Sequence, residues 1–244
     1  MKITKKRVGL FIALILLVIL AYGTFWFLSS YGPDAEAELS LKGSSSVEVM
    51  NTKDYIYFSP KIETSKGIIF YPGAKVEPEA YSVLGLTLAE NGIPFVVVKM
   101  PINFAIFDIK KAEKIKDDIP YDNTWYIGGH SLGGSMAAKY LYDHPESFSG
   151  IIFFASYPAG ASNDLSNLPI KALSIRGSVD ALVTREKVED KVPYLPSNTE
   201  YVTIEGGNHS QFGSYGHQKG DNEALISKEE QMKQIIDAVT KFME

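Results

Sequence analysis

Thr124-Trp-Tyr-Ile-Gly-Gly-His-Ser-Leu-Gly-Gly-Ser-Met-Ala-Ala-Lys-Tyr-Leu-Tyr142 decides how the rest of the chain is read. A strand-like run, Thr124–Ile127, gives way to a helix-like run, Ser135–Tyr142, across the glycine-rich turn Gly128–Gly134. A Gly-x-Ser-x-Gly between a strand and a helix reads as a nucleophile elbow, here centred on Ser131. The reason is steric. A serine at so tight a turn is forced into a strained backbone conformation, and only small residues two positions to either side, Gly129 and Gly133, let the two arms pass. The strain presents the hydroxyl at the C-terminal edge of a sheet. The pentapeptide alone would occur by chance in roughly one chain in ten of this length; the strand before it and the helix after it give it meaning.

Working outward, apolar runs alternate with helical patterns. Val47–Met50 and Tyr55–Ser59 read as an opening hairpin, and Gly67–Tyr71 as a strand ending at Pro72-Gly73. A helical pattern over Glu79–Glu90, closed by Asn91-Gly92, precedes a buried strand at Pro94–Lys99. Ile109–Lys116 reads as a polar helix. Beyond the elbow, strands are expected at Gly150–Ala155, Lys171–Arg176 and Glu200–Ile204, with helices near Arg185–Lys191 and over Ser227–Phe242. Continuous apolar strands separated by helices predict an α/β fold with a mostly parallel central sheet covered on both faces. In such a sheet the active site lies at the strand C-terminal edge.

A serine hydroxyl is a weak nucleophile that needs a base, and the base needs an orienting acid. Asp180 falls just past one expected strand, in Arg176-Gly-Ser-Val-Asp180, and His209 just past the next, in Gly206-Gly-Asn-His209. The order Ser131, Asp180, His209 is the one the elbow motif predicts. Glu186 and Asp190 are less well placed acids, and His217 is the rival base on the same loop as His209. His130 lies inside the elbow and His144 ends a helix, so neither is read as catalytic. With these pieces in place, and with Tyr71-Pro-Gly-Ala-Lys75, the chain from about Val47 onward resembles the α/β-hydrolases, and more narrowly their compact, lidless, dienelactone-hydrolase-like branch. The resemblance implies that Ser131 attacks a carbonyl, His209 takes and returns its proton, and Asp180 holds the imidazole tautomer. Many dienelactone hydrolases use a cysteine nucleophile, and this chain has no cysteine. The oxyanion donors are expected to be the amides of Leu132, after the nucleophile, and of Ala74 or Lys75 in the loop after an early strand. Only Ser156–Pro169 separates two strands where many relatives insert a lid, which predicts an open site. Tyr71, Phe104, Phe107, Tyr157, Phe212 and Tyr215 are candidates to line an acyl pocket.

The N-terminus departs from the globular pattern. Lys2, Lys5, Lys6 and Arg7 precede an uncharged apolar run from Val8 to Leu28, which reads as a transmembrane helix with its basic end in the cytoplasm. Trp26 and Phe27 suit the outer interface. A signal peptide cleaved near Ala21-Tyr-Gly23 is the alternative, disfavoured because the apolar run continues to Leu28. Either way the remainder is expected outside the cytoplasm, as a membrane anchor over residues 1–28, a polar linker over 29–46 and a hydrolase domain over 47–244. The absence of cysteine removes disulfides and a lipid-modified cysteine anchor. Beyond the first thirty residues, 20 basic face 29 acidic groups, so nucleic acid is a poor partner. No heptad repeat demands an oligomer, so a monomer is expected. The function expected is a serine hydrolase acting on a small-molecule ester or related acyl bond, with no metal or organic cofactor implied. An acyltransferase using the same triad, and a catalytically silent surface-anchored binding module, are the alternatives.

Overall fold

The computed structural model describes residues 5–62, 64–119 and 124–244, and within its first helix all side chains but those of 5–10, 13, 25, 26 and 28. The chain divides into two compact units, Met1–Ser30 and Tyr31–Glu244. The first contains helix α1, Lys5–Leu28, with Phe11, Ile12 and Leu14–Leu20 exposed. Among the described residues no helix is long and apolar enough to cross a membrane. The expected transmembrane segment is therefore present as a helix and not established as a span. Part of it falls on Val8, Gly9, Leu10, Ala13, Phe25, Trp26 and Leu28, whose side chains lie outside the described residues, as does Lys2 altogether.

The second unit is built on strands β1 (Val47–Asn51), β2 (Tyr55–Pro60), β3 (Lys66–Tyr71), β4 (Phe95–Val98), β5 (Thr124–His130), β6 (Gly150–Phe154), β7 (Lys171–Gly177) and β8 (Glu200–Ile204). They form one sheet in the order β1-β2-β4-β3-β5-β6-β7-β8. The expected hairpin joins β1 to β2 with Val47 opposite Pro60, and β2 runs antiparallel to β4. Every pairing from β4 through β8 is parallel.

Alternation along the central strands explains the two cores. Ile68 and Phe70 of β3, Val97 of β4 and Ile152 and Phe154 of β6 join one cluster; Ile69, Tyr71, Val96, Val98, Ile151 and Phe153 join the other. Helices α3 (Ser82–Glu90) and α7 (Lys228–Met243) cover the first face through Leu84, Leu88, Ile235 and Val239. Helices α4 (Lys111–Asp118) and α5 (Leu132–Asp143) cover the second through Ile115, Ala137, Ala138 and Leu141. Fully burying one such phenylalanine is worth about 1.5–3 kcal/mol.

Two expectations are corrected. The stretch read as a polar linker is folded into the domain from Tyr31 onward. Helix α2 (Ala35–Ser40) is capped by Asp34, whose Oδ1 accepts the Ala37 N–H at 2.9 Å, and Ala37 is fully buried. Asp34 also meets Lys228 Nζ at 2.8 Å. An N-cap followed by Glu36 and Glu38 is a helix start as much as a solvated linker, and one buried alanine leaves no apolar stripe to tell them apart. The elbow helix also begins earlier than its apolar pattern suggests, at Leu132, with Gly133 and Gly134 in its first turn.

Candidate active site

β5 runs one residue short of Ser131, which adopts φ 53° and ψ −125° before α5 begins. A left-handed conformation for a residue with a Cβ costs on the order of 1–3 kcal/mol and persists only where its surroundings over-determine it. They do so here. A Cβ on Gly129 would lie 2.5 Å from Gly133 C, and one on Gly133 would lie 2.1 Å from the carbonyl oxygen of Tyr71, so strand, helix and the end of β3 close to backbone contact. The Ser131 N–H donates to Phe154 O at 3.1 Å, and Ser156 Oγ donates to Ser131 O at 2.6 Å. The nucleophile candidate is thereby pinned by its own backbone, with its side chain half-buried at the C-terminal edge of β5.

Asp180 and His209 arrive at the same edge, on the loops after β7 and β8, and the structure brings them together. Asp180 Oδ2 and His209 Nδ1 are 2.8 Å apart and both side chains are fully buried. Asp180 Oδ1 accepts the N–H groups of Leu182 at 2.8 Å and Val183 at 2.6 Å. A carboxylate accepting two amides through Oδ1 is fixed in rotation with Oδ2 facing Nδ1, and with the Nδ1–H donating to Oδ2 the other ring nitrogen, Nε2, presents a lone pair. Nε2 is buried without a hydrogen-bond partner among the described residues, so no bond joins it to Ser131 Oγ. Serine–base contacts are often open in free enzymes and tighten in the Michaelis complex. The rival base His217 lies 3.5 Å from Glu223 and is exposed, and Glu186 and Asp190 are exposed on or beside helix α6 (Arg185–Glu189).

Of the two candidate amides in the loop after β3, Lys75 is already engaged: its N–H donates to Asn103 O at 2.8 Å. The Gly73 N–H donates to Tyr81 Oη at 2.9 Å. No hydrogen bond engages the amide of Ala74 among the described residues, and Leu132, as the first residue of α5, has no acceptor within its helix for its N–H. Of the three amides considered, those of Ala74 and Leu132 are thus left open among the described residues, and that of Lys75 is not.

His130, read from the sequence as non-catalytic, and several residues that sequence reasoning missed hold this arrangement. His130 is fully buried, with Nδ1 2.8 Å from Tyr81 Oη and its ring centroid 4.5 Å from that of His209. Tyr81 Oη thus stands between the Gly73 N–H, which it accepts, and His130 Nδ1, and burial pushes the phenol far above its usual value, so it keeps its proton. Burial, then the neighbouring His209, holds His130 well below the usual histidine range, so it is neutral. Gln231 of α7, also fully buried, accepts the Asn208 N–H at 2.9 Å and donates to Asn208 O at 2.8 Å, fixing the residue before His209. Asp221 accepts Ser210 N–H at 2.8 Å and Ala181 N–H at 3.3 Å, tying the loops of acid and base. A glutamine beside Glu229 and Glu230, and an aspartate in Gly220-Asp-Asn222, look like solvated surface in the sequence.

The expected pocket lining divides. Tyr71 and Phe212 are fully buried core, Tyr71 donating to Ile109 O and Phe212 stacked on His130 at 5.8 Å. Tyr215 is also buried. Phe104 and Tyr157 are half-buried, and Phe107 is exposed with its ring 6.1 Å from that of Phe104, so these line the surface. Among the described residues no group of three or more His, Asp or Glu side chains is placed to hold a metal ion.

This architecture is shared. A dienelactone hydrolase from Anabaena variabilis superposes with a TM-score of 0.63 at 14% identity, covering 81% of this chain and 97% of that one. An esterase from the archaeon Pyrobaculum calidifontis gives 0.60 at 18% identity over 85% and 89% of the two chains. The carboxylesterase CesB of Bacillus subtilis gives 0.59 at 9% identity over 85% and 94%. At these identities the likeness is one of fold. No curated protein matches the sequence. The model of the alpha/beta hydrolase family matches residues 67–233, from the start of β3 into α7 and so across the elbow and both later loops. The chain belongs to the alpha/beta hydrolase family.

Proposed function

We propose that this protein is a serine hydrolase that cleaves a carboxylic ester or related acyl bond of a small-molecule substrate through an acyl-enzyme on Ser131. The observation that carries the reading is the buried Asp180–His209 pair, whose Nε2 has no partner, at the same sheet edge as the strained Ser131. In this mechanism Ser131 Oγ attacks the carbonyl carbon while His209 Nε2 takes the hydroxyl proton. Asp180 stabilises the imidazolium through Nδ1 without taking a proton itself. The amides of Ala74 and Leu132 receive the oxyanion. His209 returns the proton to the leaving alcohol, and water, activated by the same nitrogen, then releases the acid and restores Ser131. The strand-end positions and the family membership support this reading, and the neighbours named as esterases favour an ester over other acyl bonds by analogy of fold.

The test is labelling of the full-length protein with a fluorophosphonate, followed by peptide mapping. Modification at Ser131 that disappears in His209→Ala and survives in His217→Ala is the expected result; no labelling of the folded protein would sink the mechanism.

The uncharged run Val8–Leu28 behind Lys5, Lys6 and Arg7 supports a second part of the proposal, that the chain is anchored in a membrane with its catalytic domain, as a monomer, on the non-cytoplasmic side. Alkaline carbonate extraction and protease access from outside intact cells test this; release by carbonate, or full protection of the domain, would reject it.

A further inference from the structure

The segment that enters the domain touches both catalytic loops. The Tyr31 N–H donates to Lys75 O at 2.7 Å and the Glu77 N–H donates to Tyr31 O at 3.0 Å, so Tyr31 pairs as a short parallel bridge with Val76. Ala74 is the next residue but one. Val76 N–H donates to Gly73 O at 3.1 Å, which closes a four-residue turn with Ala74 and Lys75 at its centre. Lys75 sits there at φ 64°, the position at which such a turn favours glycine. A turn with a lysine at that corner needs outside support, and Lys75 is held from both sides, through its carbonyl by Tyr31 and through its N–H by Asn103. On the other flank, the Tyr31 ring centroid lies 5.7 Å from that of Tyr215, the Lys219 N–H donates to Tyr31 Oη at 3.3 Å, and the Asp34 N–H donates to Ser214 O at 2.8 Å. Ser214 and Tyr215 belong to the loop after β8 that carries His209.

We infer that Tyr31–Asp34 is a strap that fixes the oxyanion turn relative to the base loop, with Tyr31 a positioning residue for the Ala74 amide. The inference rests on the hydrolase reading above and adds to it a residue outside the region matched to the family. The strap acts through the backbone of Tyr31, bonded to Lys75 and Glu77, and through its ring, which lies beside Tyr215. Its removal would leave substrate binding and the Asp180–His209 pair in place while letting the oxyanion donor drift from the position the transition state requires.

The test uses the full-length protein in detergent with 4-nitrophenyl butyrate as the probe ester and an alkyl trifluoromethyl ketone as the oxyanion probe. Tyr31→Pro deletes the N–H given to Lys75 and the ring together; Tyr31→Ala deletes the ring and hydroxyl alone; Tyr31→Phe deletes only the hydroxyl. A displaced donor predicts a fall in kcat of about 10- to 100-fold for Tyr31→Pro, a smaller fall for Tyr31→Ala and almost none for Tyr31→Phe. KM should stay within about twofold, and ketone affinity should weaken in step with kcat/KM. Fluorophosphonate titration of Ser131 counts the active sites, so kcat is expressed per competent molecule. Unchanged kcat per site in Tyr31→Pro and Tyr31→Ala, or a loss confined to the number of sites, would overturn the strap while leaving the hydrolase reading intact. If Tyr31→Pro yields no folded protein, Tyr31→Ala decides by the same criterion. Failure of wild-type Ser131 to label would overturn the hydrolase reading and the strap with it.

Discussion

The two halves of the proposed catalytic site are built on opposite plans. The acid–base half is closed on itself: Asp180 spends one carboxylate oxygen on two amides and the other on His209, with both side chains sealed from solvent. The nucleophile half is open. Ser131 keeps its place by backbone strain and glycine contacts, and the amides of Ala74 and Leu132 have no acceptor among the described residues. Hydrogen bonds made before the substrate arrives fix the proton's route, whereas donors left unmade are the ones a developing oxyanion can use. A group already satisfied, as the Lys75 amide is by Asn103, has nothing to offer a transition state.

The sharpest way to break this contrast is Ser131→Ala, which keeps the left-handed backbone of an L-residue and removes only the hydroxyl. A loss of about 10⁶-fold in kcat with an unchanged melting temperature is expected. Measurable turnover near the wild-type rate would mean that the strained half is not the reacting half. Next in size is Asp180→Asn, which preserves shape while offering an amide to Nδ1 and so favours the wrong imidazole tautomer. About 10⁴-fold should be lost from kcat, with KM little changed, by steady-state kinetics on 4-nitrophenyl butyrate.

A smaller effect sharpens the electrostatics of the shared floor. Because His130 is held neutral by burial, the unfolded chain binds its proton at higher pH than the folded one does. Stability from this source is complete above the unfolded value of about 6.5 and declines below it, by up to about 1.4 kcal/mol per pH unit, until the folded group titrates. Urea unfolding of the wild type and of His130→Gln from pH 7 to 5 should show the slope in the former and its reduction in the latter; parallel curves would refute it. The smallest effect belongs to Ser156→Ala, which removes the 2.6 Å bond to Ser131 O. A stability loss of about 1 kcal/mol and a fall in kcat of less than about tenfold are expected, and an effect as large as that of Asp180→Asn would contradict the view that backbone contacts dominate the elbow.

Much of this was legible in the sequence because it is local. Gly129-His-Ser-Leu-Gly133 announces its own geometry, and Asp180 and His209 stand where apolar strands end, which any α/β reading places at one edge. The continuous apolar runs Ile68–Phe70 and Ile151–Phe154 predict strands buried on both faces, and they are. What stayed hidden depends on partners distant in the chain. Which amide of the loop after β3 is free turns on Asn103, a residue at φ 59° in a different loop. Tyr81 and Gln231 become part of the site only once α3 and α7 are laid on the same face of the sheet. The Tyr31–Ser40 segment is polar enough to pass for a tether because its attachment is carried by backbone hydrogen bonds, the Asp34–Lys228 ion pair, the Tyr31 ring and the buried Ala37, which together leave no periodic mark.

The elbow also has a consequence in time. Gly133 rests on the carbonyl at the end of β3, and Ser131 hangs from the last carbonyl of β6, so its strain cannot be imposed until three parallel strands from distant parts of the chain are in register. Parallel pairings of that kind form late, since their loop-closure entropy is paid before the contacts are gained. A freshly made chain should therefore acquire helical signal well before Ser131 reacts with a phosphonate, and the nucleophile matures as one of the last events of folding, harmless until the sheet around it is complete.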